Sequence, residues 1–183
     1  MSPLSAKFDR THHQTVPPAN AQAGRHSLKS GSHLPTMWRG RCWTVAVILK
    51  KLFYVSRAVR PWSVTEAKCL IGTSQVANRR ADITGVLAFT GGFFGQLLEG
   101  PEVPVTALAQ RIRDDTRHSD FRVISCERAD ARDFPNWNME LIESPQLEAE
   151  LRELTLHAPL GDELGIVTRR RILDEANWRS VRG

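Results

Sequence analysis

Four polar residues sit inside otherwise apolar stretches of this chain. Tyr54 follows Leu52-Phe53, Ser74 and Asn78 fall late in an amphipathic stretch, and Gln96 lies within Phe93-Phe94-Gly95-Gln96-Leu97-Leu98-Glu99-Gly100. A buried amide or phenol must find partners or bear the cost of losing water. The amide of Gln96 offers two donors and an acceptor oxygen, which suits it to read the edge of a heteroaromatic ring. Taken singly, each residue is more often structural: a core Tyr, a helix-terminal Asn, a Gln turned to solvent. Their interest comes from the elements that carry them. Other chemistry is hard to find, with no Gly-x-Gly-x-x-Gly, Walker loop, Gly-x-Ser-x-Gly elbow or His-Glu-x-x-His. Asp114-Asp115 falls on an expected helix, where neighbours point about 100° apart and cannot act as a paired acid and base. Arg117-His118 at that helix's C-terminus is explained by the helix dipole. His12, His13, His26 and His33 lack the spacing of a metal site, so none is expected.

The elements that position the four residues follow from periodicity. Val45 to Ser56 reads as a first strand ending at Arg57. Ser63-Val64-Thr65-Glu66 is a capping box with Trp62 and Ala67 as its staple, and a helix follows to about Asn78, with Ala67, Leu70, Ile71 and Ser74 on one face. Ile83 to Phe89 is a second strand, and Gly91-Gly92 a tight hairpin into the Gln96 strand. Val105, Leu108, Ala109 and Ile112 mark a second helix closing near His118. Phe121–Cys126 and Met139–Ile142 are the last two strands, after which Ser144-Pro145 starts a helix with Leu147, Leu151 and Leu154 as its stripe. Glu148 and Arg152 can pair on its wet side. A final helix over about Asp162 to Asn177 carries Leu164, Val167 and Leu173. The order predicts an α+β, ferredoxin-like βαββαββ sandwich with two helices on one sheet face, plus C-terminal capping helices. In that layout the second and fourth strands lie outermost and the first and third are central neighbours. Tyr54 and Gln96 then lie side by side beneath a groove between the helices. A planar ring fits there, walled by Leu70 and Ile112, with Asn78 at one edge and Gln96 at the other.

At 183 residues, 41% hydrophobic and 25% charged, the chain has the make-up of one globular domain with tails. Trp43 to Leu49, the longest apolar run, is far short of the roughly 18 residues of a membrane span. Three widely spaced cysteines fit a reducing cytoplasm. The net charge of +5 is not spread evenly: seven Lys or Arg against Asp9 alone fill the first fifty residues, which leaves the remainder at −1. The basic surplus therefore belongs to a leader expected to be disordered, and nucleic acid is not the expected partner of the folded body. Three regions are expected: a leader over 1–44, a ligand-binding domain over 45–143 and a helical extension over 144–183.

Six ordered blocks carry a family likeness: Leu52-Phe53-Tyr54-Val55-Ser56-Arg57-Ala58, Ser74-Gln75-Val76-Ala77-Asn78, Ile83-Thr84-Gly85, Gln96-Leu97-Leu98-Glu99-Gly100, Asp115-Thr116-Arg117-His118 and Phe134-Pro135-Asn136-Trp137-Asn138-Met139. From Leu49 to Ile142 the chain resembles BLUF domains, blue-light sensors that use flavin. The resemblance implies a non-covalent flavin between the two helices, usually FAD, with FMN or riboflavin as possible substitutes. It implies Tyr54 as photochemical electron and proton donor and Gln96 as the amide that rotates or tautomerises. Asn78 would hold the pyrimidine edge. Trp137 and Met139 would pass the change outward from the fifth strand, and Arg117 and His118 would lie near the cofactor's polar tail. Where the family usually has a large residue before the glutamine, this chain has Gly95, a substitution that can loosen the strand or admit water beside Gln96. The position before Asn78, often polar or histidine there, is Ala77.

The reading that results is a photoreceptor, not an enzyme, whose output is a contact with a downstream protein partner, with a homo-oligomer also open. A flavin-dependent redox enzyme and a cofactor-free ferredoxin-like interaction module are the alternatives. The first lacks a dinucleotide fingerprint; the second is favoured only by Gly95 and Ala77.

Overall fold

A computed structural model describes residues 48–182. The expected leader and the start of the expected first strand, 45–47, lie outside the described residues. The order is β1 (Leu49–Ala58), α1 (Val64–Arg80), β2 (Thr84–Phe89), β3 (Phe93–Pro101), α2 (Glu102–Arg113), β4 (His118–Ala129), β5 (Glu140–Glu143), a 3-10 turn (Pro145–Leu147), α3 (Glu148–His157) and α4 (Glu163–Arg182). This is the expected ferredoxin-like α+β plan with added C-terminal helices.

The sheet order is β4-β1-β3-β2-β5. β1 and β3 are antiparallel neighbours, and Tyr54 stands directly opposite Gln96. The expectation that β2 lies outermost is corrected: β5 runs parallel to it, from Val86↔Glu140 to Phe89↔Glu143. Backbone bonds bracket that pairing, Gly85 N–H to the Trp137 carbonyl and Ser144 N–H to the Phe89 carbonyl, both at 2.9 Å. A four-residue strand carries too little pattern to reveal its partner.

Both faces of the sheet are covered. Leu52, Tyr54, Leu87, Phe94 and Leu98 pack with Ala67 and Ile71 of α1 and Val105 and Ala109 of α2. Phe53, Val55, Val86, Phe93 and Leu97 pack on the opposite side with Leu147, Leu151, Leu154 and Ile172. Strands buried on both faces read as continuous apolar runs, which is why β2 and β3 show little alternation. Each fully buried Val, Leu, Ile or Phe among them contributes roughly 1.5–3 kcal/mol.

α1 begins as expected, with Ser63 Oγ accepting from Glu66 N–H and the Glu66 carboxylate accepting from Ser63 N–H. That carboxyl is held down at about 2, first by its bond to Arg60 and then by Ser63. α2 ends at Arg113 and not near His118. The Asp115 carboxylate accepts from Arg117 N–H at 2.9 Å and also grips its guanidinium, forming a turn that the i, i+3, i+4 pattern does not register. Arg117 and His118 therefore lie outside the helix, and His118 opens β4. In α4, Thr168, Ile172 and Ala176 are buried, while the face of Leu164, Val167 and Leu173 is mixed, the two leucines partly buried and Val167 51% exposed. Gly165 sets the helix's rotation: a Cβ there would lie 2.2 Å from Ile124 Cγ2.

Gly95 does not loosen the floor of the groove. It faces away from Gln96, and a Cβ on it would meet Leu151 Cδ2 at 2.8 Å and Ile172 Cδ1 at 3.4 Å. The missing side chain is the space α3 occupies. Gly95→Leu is expected to lower stability by about 1–3 kcal/mol through overpacking, seen as a lower urea midpoint; an unchanged midpoint would show that α3 moves aside at no cost.

Candidate functional site

Between α1 and α2, above β1 and β3, lies a cavity of about 320 Å³, within the range of small-molecule sites. It is lined by Tyr54, Leu70, Ser74, Asn78, Gln96, Ile112, Arg117, His118 and Met139, together with Ser56, Ile71, Ala77, Leu108 and Asp115. Trp137 is the exception among the expected site residues. It precedes β5, stacks on Phe134 at 6.1 Å and packs into the apolar layer on the other side of the sheet.

The floor is a short chain of hydrogen bonds. Tyr54 Oη donates to Gln96 Oε1, and Gln96 Nε2 donates to Met139 Sδ at 2.9 Å. Both side chains are buried, and among the described residues the amide nitrogen finds only a thioether, a weak acceptor. Phe121 stacks on Tyr54 at 4.5 Å. Burial, and then the negative charge of Asp115, push the Tyr54 phenol well above its ordinary value.

Met139 is held by backbone bonds. Gln75 Nε2 donates to the Met139 carbonyl at 3.0 Å, and Asn78 Nδ2 to the Asn138 carbonyl at 3.2 Å. Met139 has φ of 153°, a conformation rare outside glycine that costs on the order of 1–3 kcal/mol. Gly85 makes room for it, since a Cβ there would lie 2.4 Å from the Leu97 carbonyl and 3.0 Å from Met139 Cε. Asn78 thus spends one of its two N–H donors on the strand connection and has the rest of its amide left for the cavity.

At the mouth, the bond from Arg117 holds the Asp115 carboxyl below its usual range, and burial lowers His118. Buried Ser56 Oγ and His118 Nδ1, both in lining residues, have no partner among the described residues. Gln75, Ser56, Asp115 and Phe121 were missed as site residues. Ser56 was within reach, two residues past Tyr54 on the same strand face; the Gln75 contact spans 64 positions and leaves no local signal. Among the described residues no group of three His, Cys, Asp or Glu could hold a metal, and no helix is long and apolar enough to cross a membrane.

An apolar slot with amides on its floor and wall, set on a ferredoxin-like sheet, defines a small-molecule-binding domain. A family model described as BLUF, sensors of blue-light using FAD, matches residues 49–140, and the chain belongs to that family. It is similar to photoactivated adenylate cyclase subunit beta of Euglena gracilis, 36% identical over 92 residues, covering 50% of this chain and 11% of the relative. It is also similar to the blue light- and temperature-regulated antirepressor BluF of Escherichia coli (strain K12), 34% identical over 96 residues, covering 52% and 24%. The chain thus spans a quarter or less of these relatives. Among solved structures, the BLUF protein BlrB in its dark state matches with a TM-score of 0.58 at 29% identity, over 72% of this chain and 98% of that one. Klebsiella pneumoniae BlrP1 with FMN and cyclic diGMP matches with a TM-score of 0.52 at 29% identity, over 69% and 35%. Domains of this family are blue-light sensors that use flavin.

The residues present fit a flavin. Leu70, Ile71, Leu108 and Ile112 offer apolar walls, and Gln96, Asn78, Ser56 and His118 offer polar atoms to a heteroaromatic edge, two of them otherwise unpaired.

Tyr54 is the only tyrosine, so its ionisation can be read directly. The native protein is expected to show no phenolate absorbance near pH 10, where a free tyrosine titrates (about 10). The unfolded chain loses this proton first, so stability is full below about pH 10 and falls as pH rises beyond it. A phenolate band appearing near pH 10 with the fold intact would refute the buried setting.

Proposed function

We propose that this protein is a blue-light photoreceptor that uses FAD, with Tyr54 as photochemical donor, Gln96 as the switching amide, and a contact with a downstream protein as output. The reading rests most on one observation, the Tyr54–Gln96–Met139 chain on the floor of a ring-sized slot. Residues 45–143 form the flavin domain in this proposal, and the helices of 144–183 relay its state. Exposed free Cys69 and Cys126 accord with a reducing cytoplasm.

When bound, the flavin supplies blue absorption and an excited state able to accept an electron. Tyr54 releases an electron, and its phenolic proton leaves along the bond to Gln96 Oε1. Both return to Tyr54, so no net oxidation remains. Gln96 is left rotated or tautomerised, with donor and acceptor ends exchanged. At the Nε2 end the cost of leaving the old arrangement is small because that nitrogen gives up a thioether, whereas an ordinary net hydrogen bond is worth about 0.5–1.5 kcal/mol. Asn78 would hold one ring edge, Leu70, Ser74 and Ile112 would wall it, and Arg117 and His118 would meet the polar tail, where Arg117 would share its charge between Asp115 and phosphate. Met139 feels the change first, since it is the partner Gln96 loses. Trp137, on the far side of the sheet, takes part through the backbone it shares with Met139.

Tyr54→Phe is expected to keep the yellow cofactor and abolish the reversible red shift after blue illumination; an undiminished shift removes the donor assignment. Acid release followed by chromatography is expected to yield FAD, and FMN or riboflavin in its place would correct the cofactor.

A further inference from the structure

Met139 is in an unfavourable backbone conformation, yet its thioether is the sole protein partner of the Gln96 amide nitrogen among the described residues. Something must hold it there. The Asn138–Met139 backbone is tied to α1 through two side-chain amides, Gln75 to the Met139 carbonyl and Asn78 to the Asn138 carbonyl. Asn78 is buried in the cavity wall and has ligand-facing duties. Gln75 does not line the cavity and is only half-buried. Its amide reaches across from the helix to the carbonyl of the strained residue.

We propose that Gln75 is a positioning residue for the light switch: by donating to the Met139 carbonyl it pins that strained residue so that its sulfur faces Gln96. The proposal rests on the photosensor reading above. It follows from three facts that a merely structural tie would not need together. The bond ends on the strained residue itself, that residue's side chain touches the switching amide, and Gly85 is hollowed to admit its methyl. Freed from Gln75, Met139 relaxes toward ordinary backbone angles and its sulfur leaves Gln96. The dark arrangement then loses its ready acceptor, and return from the lit state slows.

The chain has three methionines, Met1, Met37 and Met139, so methyl-labelled methionine gives a sparse NMR spectrum in which Met139 is assigned by its absence from Met139→Leu. Gln75→Glu keeps the shape of the side chain but replaces the donor with an acceptor; Gln75→Ala removes it. In the full-length protein both are expected to shift the Met139 methyl resonance and to slow lit-state decay by about fivefold to tenfold, the scale of one hydrogen bond, with the red shift retained. In a Met139→Leu background, Gln75→Glu is expected to leave decay unchanged. An unmoved methyl, unchanged or faster decay, or an equal effect without Met139 overturns the proposal. If the parent protein shows no red shift, the photosensor reading fails, and the methyl resonance alone still decides whether Gln75 positions Met139.

Discussion

The structure depends on one constraint: a phenol and a carboxamide, both out of water, must satisfy each other across adjacent strands. Antiparallel pairing of β1 and β3 sets Tyr54 opposite Gln96, and the period of two turns both to the face that α1 and α2 cover. A slip of one residue would send the amide into the layer beneath α3, where Leu151 and Ile172 offer it no partner. Register is therefore specified twice, by the apolar pattern and by the penalty of an unpaired polar group. The groove lies over the same pairing, between α1 and α2, with Tyr54, Phe94 and Gln96 in its lining.

The opposite face explains residues that the photochemistry does not use. Glu99, three positions beyond Gln96, points away from the cavity and is 1% exposed. Its carboxylate accepts from the backbone N–H groups of Asp133 and Phe134 and lies 3.5 Å from Lys51 Nζ. Burial raises this carboxyl, and breaking such a set by removing one partner is costly. Arg132 adds bonds to the Glu99 and Asp82 carbonyls. The connection that delivers Trp137 and Met139 is thus anchored to the same strand that carries Gln96. Asp133 in turn meets Arg169 of α4 at 3.2 Å, so this anchor also touches the C-terminal helices.

How much of this was legible depended on the range of each signal. The capping box at Ser63, the stripe of Leu147, Leu151 and Leu154, and the Glu148–Arg152 pair at 3.0 Å were readable because each is set within a few residues. The neighbouring placement of Tyr54 and Gln96 was readable because few sheet orders suit that element order. The partner of β5, the end of α2 and the rotation of α4 were not readable. Those were decided by a four-residue strand, an Asp115 turn and a glycine fitted against Ile124, all of which need the tertiary partner to be known. Gly95 is the plainest case. Seen along the strand it is a gap beside Gln96; seen across the sheet it is the seat of Leu151.

Weakness and strain at Met139 belong together. A strong acceptor at that place would hold the Gln96 amide in one orientation, and a relaxed backbone would let the sulfur drift away and leave the amide unpaired. A thioether bound weakly but placed firmly avoids both outcomes, since the firmness comes from the side-chain amides of α1 that bond its backbone and not from the bond that would break in the proposed switch. A few kcal/mol is the range that separates the two states of a conformational equilibrium that can be shifted without unfolding. The strain at Met139, on the order of 1–3 kcal/mol, is of that size. It lies one residue before an edge strand, β5, whose parallel pairing with β2 ends where the chain enters the helices covering the far side of the sheet. In the proposed switch, a change at the Gln96 amide would alter the seating of this short strand, and from there the helices, without disturbing the paired centre of the sheet.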